Sequence, residues 1–334
     1  DTKAATVTGE ISHFSKLEFH LNDALSITVE GVPDELELDS TFEATLNITQ
    51  GPGLLNSPAE VFPESLDFSA PPIIQTVNNT FVGIKSPNPF WLASAPPTDK
   101  AYNVERAFEA GWGGVVWKTL GSEGPPVVNV NGPRYGAIYG ADRRLLGLNN
   151  IELITDRDLQ TNLDEITRVK KDYPDRAIIV SLMVPCEEQA WKDILPRVAA
   201  TGADGIELNF GCPHGMSERG MGAAVGQVPE YIEMVTRWCK QYYDKPVIVK
   251  LTPNITDVRK PAAAAMRGGA DAVSLINTIN SITSVNLDNM SPEPSIDGKG
   301  SHGGYCGPAV KPIAMSMVSE IARAEATAGM PISG

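Results

Sequence analysis

Residues 205–251 contain one complete strand–helix–strand unit, and this unit decides the fold class. They read GIELNFGCPHGMSERGMGAAVGQVPEYIEMVTRWCKQYYDKPVIVKL. The apolar runs 205–209 and 247–251 are continuous rather than alternating, which is typical of parallel strands buried on both faces. Between them an apolar stripe recurs at helical spacing and comprises Ile232, Val235, Cys239 and Tyr242. A strand, a helix and a further strand in this order predict a parallel βαβ unit with a right-handed crossover.

The same pattern repeats along residues 77–334. Further short apolar runs lie at 90–94, 114–118, 178–182, 272–276 and 331–333. Together with the first unit they predict seven parallel strands alternating with helices, whereas a complete (β/α)8 barrel has eight. We therefore predict an α/β fold, a TIM barrel lacking its eighth unit. A doubly wound open sheet is the alternative, which the absence of a G-x-G-x-x-G motif after the first strand weakens.

Residues 1–76 differ from the rest of the chain in charge and in periodicity. They carry 13 acidic side chains, two lysines and no arginine. Apolar residues alternate with polar ones at 17–21, 25–29 and 42–48, a period typical of half-buried strands. We therefore predict a small, acidic, β-rich segment over 1–76, either a fused module or a foreign segment, that precedes the barrel domain of 77–334.

Composition excludes several classes of protein. The net charge of −14 argues against a nucleic-acid-binding protein, which needs a basic face. We expect no membrane association, because the chain has no apolar run of about 18 residues and no apolar leader at its start. None of the four cysteines forms a C-x-x-C pair, so we expect no zinc or iron–sulfur site within these residues. The resulting expectation is a cytoplasmic protein with reduced thiols.

Polar residues lie at or just after the carboxyl ends of five of the predicted strands. They are Ser94, Lys118, Thr119, Asn209, Lys250, Asn277 and Thr278. In a barrel the carboxyl ends of the strands meet at one rim, where the chemistry of such folds is carried out. Two cations and two carboxamides facing one cavity suit an electron-rich, planar, hydrogen-bonding ligand. The sequence therefore predicts a ligand site at this rim.

Residues 209–227 predict a lid over that site. Five glycines lie in this stretch, namely Gly211, Gly215, Gly220, Gly222 and Gly226. So many glycines disfavour a rigid element, because each loses much backbone entropy on ordering. Cys212 lies at the predicted hinge, where its thiol can donate or accept a proton when the lid closes.

Several motifs together resemble a known family. They read NPFWLASAPPT, VVWKT, LNNIELI, ELNFGCPHGMSERGMG, VKLTPNITD, LINTINS and GGYCGPAVKPIA. From about residue 79 to residue 334 the chain resembles the FMN-binding barrel of the dihydropyrimidine dehydrogenases, above all the pyrimidine-binding subunit of the bacterial NAD-dependent enzymes. The related dihydroorotate dehydrogenases have an Asn-x-Ser-Cys/Ser-Pro-Asn pattern at the lid, whereas His214 follows Pro213 here, and Gly211 stands where a serine is common.

The resemblance implies a role for each matching residue. The flavin would be contacted by Ser94, Lys118, Thr119, Lys250 and Gly307. The pyrimidine would be hydrogen-bonded by Asn150, Asn209, Asn277 and Thr278, and Cys212 would be the catalytic acid and base. The implied reaction of pyrimidine catabolism is the reduction of uracil or thymine to the 5,6-dihydropyrimidine, and its reverse, with a hydride from FMN and a proton from Cys212.

The same resemblance implies a partner. No site for NAD is recognisable in the sequence, so electrons would pass through an NAD(H)-oxidising flavoprotein or iron–sulfur subunit. Iron–sulfur clusters would belong to that partner or to a missing C-terminal region, and the eighth strand and a glycine-rich loop for the FMN phosphate would also be missing. Two alternatives stay open. One is a dihydroorotate dehydrogenase-like enzyme, whose substrate carboxylate needs an extra cationic or amide clamp. The other is a non-catalytic interaction protein built on a truncated barrel.

Overall fold

The computed structural model describes residues 79–122, 134–213, 220–293, 295–296, 299–300 and 302–334, together with the backbone of three earlier strands. The chain divides into two units, Asp1–Val77 and Asn78–Gly334. The first unit contains β1 (Lys16–Leu21), β2 (Leu25–Glu30) and β3 (Thr45–Gln50), which pair antiparallel in that order. These strands include most of the alternating residues, whereas Phe42 and Ala44 lie outside the described residues.

The described residues of the second unit form short strands and seven α-helices. The strands are β4 (Asn79–Phe81), β5 (Ile84–Ser86), β6 (Trp91–Leu92), β7 (Gly114–Leu120), β8 (Tyr135–Tyr139), β9 (Leu145–Asn150), β10 (Ala177–Leu182), β11 (Gly205–Asn209), β12 (Val247–Lys250), β13 (Ala272–Ser274), β14 (Ile279–Ser281), β15 (Ser284–Asn286), β16 (Ser291–Glu293), β17 (Ser295–Ile296), β18 (Lys299–Gly300), β19 (Gly303–Cys306) and β20 (Ile332–Ser333). The helices are α1 (Ala101–Glu109), α2 (Leu159–Asp172), α3 (Glu188–Ala200), α4 (Ala223–Gly226), α5 (Pro229–Tyr242), α6 (Arg259–Arg267) and α7 (Lys311–Arg323).

Seven of these strands form one parallel sheet in the order β6-β7-β10-β11-β12-β13-β20. Each overlaps one of the seven predicted runs, with β7 ending two residues later and β10 beginning one residue earlier than predicted. Their order in the sheet follows their order in the chain without a reversal, so successive right-handed crossovers all lie on the same face. A doubly wound sheet needs a reversal of strand order. The α/β barrel prediction is therefore confirmed, and the open-sheet alternative is wrong.

The core lies between this sheet and the helices that cover it. Strands β7, β10, β11 and β12 are buried along their whole length. On α5 the predicted stripe faces inward, and Ile232, Val235 and Cys239 are at most 1% exposed. Cys239 is therefore a core residue, and its burial raises the pKa of the thiol well above its usual value. No helix in the described ranges is long and apolar enough to cross a bilayer.

A second, antiparallel sheet was not predicted from the sequence. Its order is β14-β19-β9-β8, and Asn150 on β9 pairs with both Tyr135 on β8 and Gly304 on β19. The hairpins β15–β16 and β17–β18 lie between β14 and β19 in the chain. On β8 the side chains alternate between exposed and half-buried positions, although its sequence YGAIY shows no alternation of apolar and polar residues. The pairing of β8 with β9 is therefore visible only in the tertiary structure.

Candidate active site

A cavity of about 320 Å³ lies at the carboxyl ends of the parallel strands, within the size range of ligand pockets. Nine of the ten predicted site residues line it, namely Ser94, Lys118, Thr119, Asn150, Asn209, Cys212, Lys250, Asn277 and Thr278. The tenth, Gly307, does not line the cavity but directly follows Cys306, which does. The structure thus brings the predicted residues together, while their individual roles stay predictions.

The parallel sheet places the predicted residues side by side. Lys118 and Thr119 lie near the end of β7, and Asn209 and Lys250 end β11 and β12. Asn209 and Lys250 are directly paired in the register of these two strands. Because parallel strands end at one edge of the sheet, residues far apart in the chain become neighbours around one cavity.

Asn209 is the centre of a buried hydrogen-bond network. Its Nδ2 donates to Thr119 Oγ1 at 2.9 Å, and its Oδ1 accepts from Asn277 Nδ2 at 3.0 Å. The same oxygen accepts from the backbone N–H groups of Gly211 and Cys212, both at 3.2 Å. The Asn209 amide therefore fixes the backbone that leads into Cys212, in addition to the ligand-binding role predicted for it.

Two hydroxyl groups extend this network. The hydroxyls of Ser94 and Thr119 share a hydrogen bond of 3.2 Å, and Thr119 shares another of 2.9 Å with Ser181. Ser181, on β10, is fully buried. Ser181 could not be predicted as part of the site, because a serine inside an apolar run gives no signal of a polar neighbour on the next strand.

Cys212 lies in a small apolar cluster at the cavity wall. Cys212 is 8% exposed and packs with Ile154, Met183 and Met221. A Cβ atom at the preceding Gly211 would lie 2.5 Å from Cβ of Asn277, closer than real Cβ contacts. This crowding explains why glycine, rather than serine, stands at position 211 in this chain.

Part of the predicted lid is described. Residues 214–219, including His214, lie outside the described residues. After them Ala223–Gly226 form the single helical turn α4, and the backbone N–H of Ala223 donates to the carbonyl of Cys212 at 3.1 Å. That turn anchors the far end of the glycine-rich stretch to the cysteine, whereas the mobility of the lid stays a prediction.

Each lysine of the cavity has a glutamate neighbour that the sequence analysis missed. Lys118 Nζ donates to Glu152 Oε2 at 2.9 Å. Lys250 Nζ lies 3.9 Å from Glu207 Oε1, while the other oxygen of Glu207 accepts from Ser274 Oγ at 2.8 Å. The signal was present in the motif LNNIELI, where Glu152 follows two residues after Asn150, and in GIELN, where Glu207 precedes Asn209 at the spacing of one strand face.

Glu152 also accepts hydrogen bonds from Tyr135 at 3.1 Å and Arg134 at 3.3 Å. Burial alone would raise the pKa of Glu152, but hydrogen bonding and charge from Lys118, with the bonds from Tyr135 and Arg134, lower it. Burial and the neighbouring Glu152 raise the pKa of Tyr135 to about 12. At neutral pH the group is therefore an ionised glutamate held by two cations and a phenol.

The comparison with family models decides the classification. The model of the dihydroorotate dehydrogenase family matches residues 76–334. The chain belongs to the dihydroorotate dehydrogenase family. Within the described residues, this member has no group of three or more histidine, cysteine or acidic side chains placed to hold a metal ion.

The curated relatives of this chain include dihydropyrimidine dehydrogenases and dihydroorotate dehydrogenases. It is 43% identical over 260 residues to the chloroplastic NADP(+) dihydropyrimidine dehydrogenase of Arabidopsis thaliana, covering 76% of this chain and 60% of the relative. It is 41% identical over 255 residues to the NAD-dependent dihydropyrimidine dehydrogenase subunit PreA of Escherichia coli K12, covering 76% and 61%. It is 37% identical over 241 residues to the catalytic subunit of dihydroorotate dehydrogenase B (NAD(+)) of Pyrococcus abyssi, covering 72% and 73%. The predicted resemblance to the dihydropyrimidine dehydrogenases is confirmed.

These relatives also set the extent of the comparison. The chain spans about three fifths of the length of the two dihydropyrimidine dehydrogenases it matches. Among solved structures, the ligand-free dihydroorotate dehydrogenase of Eimeria tenella superposes with a TM-score of 0.57 at 16% identity, covering 76% of this chain and 74% of that one. That likeness confirms the dihydroorotate dehydrogenase fold.

Proposed function

We propose that the chain is the catalytic part of a flavin-dependent oxidoreductase that interconverts uracil or thymine and their 5,6-dihydro forms. The observation that carries the proposal is one cavity in which the Cys212 thiol, three asparagine amides and two lysines meet. The identity of 41–43% to two dihydropyrimidine dehydrogenases supports the choice of substrate.

The chemistry of the cavity fits FMN. Lys118, Lys250 and the hydroxyls of Ser94 and Thr119 offer donors to an electron-rich ring. Gly307 adopts a φ of +95°, and a Cβ there would lie only 3.2 Å from Cα of Gly147, so this bend beside Cys306 strongly favours glycine. These five residues would hold the cofactor, which supplies the hydride when bound.

The side chains of the chain would bind the pyrimidine and supply the proton. Asn150, Asn277 and Thr278 offer amide and hydroxyl groups that can match the alternating N–H and C=O groups of uracil. Cys212 would transfer its Sγ proton to one carbon of the C5=C6 bond while the other carbon receives the hydride, leaving a thiolate that solvent reprotonates. In the reverse reaction the thiolate removes that proton.

Electron supply is the second part of the proposal. We infer that electrons arrive from NAD(H) through a partner flavoprotein or iron–sulfur subunit in the cytoplasm. The relative PreA is named a subunit of an NAD-dependent enzyme, which supports this arrangement. Reduction of the FMN-loaded isolated chain by NADH would contradict it.

The test is an anaerobic titration of the FMN-reconstituted chain with dihydrouracil, following the oxidised flavin absorbance. Bleaching by dihydrouracil or dihydrothymine, but not by dihydroorotate, is the expected result. Bleaching by dihydroorotate alone would replace the proposal by a dihydroorotate dehydrogenase activity, which the 37% identity to the Pyrococcus abyssi catalytic subunit makes the second candidate. Binding of FMN without reduction by any of the three would refute both.

A further inference from the structure

The charges that line the cavity are balanced in pairs. Lys118 and Glu152 are 7% and 9% exposed at their side chains, and Lys250 and Glu207 are 11% and 4% exposed. A buried cation is strongly stabilised by an opposite charge nearby, and it is costly to remove either partner. Although two lysines face the cavity, each therefore has a carboxylate within 4.0 Å, and the two pairs together carry no net charge.

Glu152 has a special place in this arrangement. It is the only acidic residue among the described residues that line the cavity, whereas Glu207 lies behind Lys250 on β11. Three donors from different segments hold its carboxylate: Lys118 on β7, Tyr135 on β8 and Arg134 just before β8. These contacts hold the Glu152 carboxylate at the cavity wall and keep Lys118 and Arg134 engaged with it.

The occupied cations bear on which pyrimidines can bind. Lys118 and Arg134 already neutralise Glu152, so a carboxylated pyrimidine gains a cation at this wall only by competing with Glu152 for one of them. To bind through Lys118 or Arg134, the ligand carboxylate would have to displace Glu152 from a partly buried ion pair. A neutral pyrimidine needs only amide and hydroxyl partners, which the cavity offers.

We infer that Glu152 determines specificity by admitting neutral pyrimidines and excluding those that carry a carboxylate on the ring. The inference rests on the proposed function and narrows its substrate class. It separates this chain from the dihydroorotate reaction after which its family is named, because dihydroorotate is a carboxylated pyrimidine.

The test compares ligands of equal size and different charge. Uracil-6-carboxylate is matched with uracil-6-carboxamide, and uracil-5-carboxylate with uracil-5-carboxamide, so that the orientation of the ring does not decide the result. Binding to the full chain is measured by calorimetry, with FMN and in parallel without it. We expect the wild type to bind each amide at least about tenfold more tightly than its acid, and Glu152→Gln to close that gap.

Three further variants isolate the role of the charge. Asp142→Asn removes one negative charge from the segment between β8 and β9, where the Asp142 side chain is 60% exposed and lies outside the cavity lining, and the gap should persist. Tyr135→Phe removes one hydrogen bond but leaves the charge of Glu152, so the gap should again persist. Glu152→Ala replaces Glu152→Gln if the glutamine variant does not fold by circular dichroism.

Two results would overturn the inference while leaving the proposed function intact. The first is a wild type that binds the acids as tightly as the amides and is still reduced by dihydrouracil. The second is a gap that persists in a folded Glu152 variant. If the wild type binds neither uracil, thymine nor the amides, the proposed function and the inference fail together.

Discussion

Replacing Asn209 by alanine should destabilise the barrel unit more than the loss of a side-chain amide that makes a single hydrogen bond. Asn209 is 7% exposed, and its side chain makes four hydrogen bonds, to Thr119, Asn277 and the backbone N–H groups of Gly211 and Cys212. Alanine removes all four and leaves those groups without their partner.

The size of the effect follows from the number of bonds. A typical buried hydrogen bond contributes about 0.5–1.5 kcal/mol net, so four contribute about 2–6 kcal/mol. Water from the adjoining cavity can satisfy some of the freed groups, which favours the lower half of that range. We expect Asn209→Ala to lower the free energy of unfolding by about 3 kcal/mol. Asn209→Asp should lose less, because a carboxylate oxygen can accept from the same three N–H donors.

Urea unfolding followed by tryptophan fluorescence measures this loss. All five tryptophans lie after residue 77, so the signal reports the barrel unit. The control is Gln189→Ala, which removes an exposed amide on α3 that bonds Asp193 at 2.7 Å and should cost less than about 0.5 kcal/mol. If Asn209→Ala shifts the midpoint no more than this control, or if the aspartate variant is the less stable of the two, the reasoning from hydrogen bonds is wrong.

Three further predictions concern the same cavity. Cys212→Ala should leave FMN binding intact but slow pyrimidine reduction by about 10²-fold or more, as for loss of a general acid; unchanged stopped-flow rates would remove its proton role. Lys250→Met should weaken FMN binding by about tenfold or more in a fluorescence titration, since a charged hydrogen bond contributes about 1.5–3 kcal/mol; equal affinity would place the cofactor elsewhere. Because the pKa of Glu152 is lowered on folding, its stabilising effect is present above its usual pKa of 4.5 and is lost as the pH falls through the lowered value. The stability difference between wild type and Glu152→Gln should therefore shrink below pH 4.5, and urea midpoints that show no such trend would contradict the ion pair.

Much of the candidate site could be predicted because a barrel brings the ends of its strands together at one rim, and each strand can be recognised from its own local sequence. Lys118, Asn209 and Lys250 each follow or end a short apolar run, and such a run can be recognised from a few neighbouring residues. Parallel strands then carry their ends to the same rim without further information. Seven of the residues that line the cavity, those that end or follow the predicted strands, could thus be named before any contact was known.

The partners of those residues could not be predicted in the same way. Asn209 bonds Thr119 across 90 positions of the chain, and Asn150 bonds the carbonyl of Gly304 across 154 positions. Glu152 lies in a segment without a strand or helix pattern, and its three donors come from β7 and from the edge of the antiparallel sheet. No local periodicity encodes such contacts.

The sequence by itself determined the seven parallel strands, the helices that cover them and the rim at which the polar residues gather, because hydrophobic periodicity acts over neighbouring residues. Only the tertiary structure decided the antiparallel sheet, the close contact that requires glycine at position 211, and the pairing of each cavity lysine with a glutamate. Charge balance in a cavity depends on which side chains, distant in the chain, approach within a few ångströms. That approach is set by the packing of the whole domain and not by any local stretch of sequence.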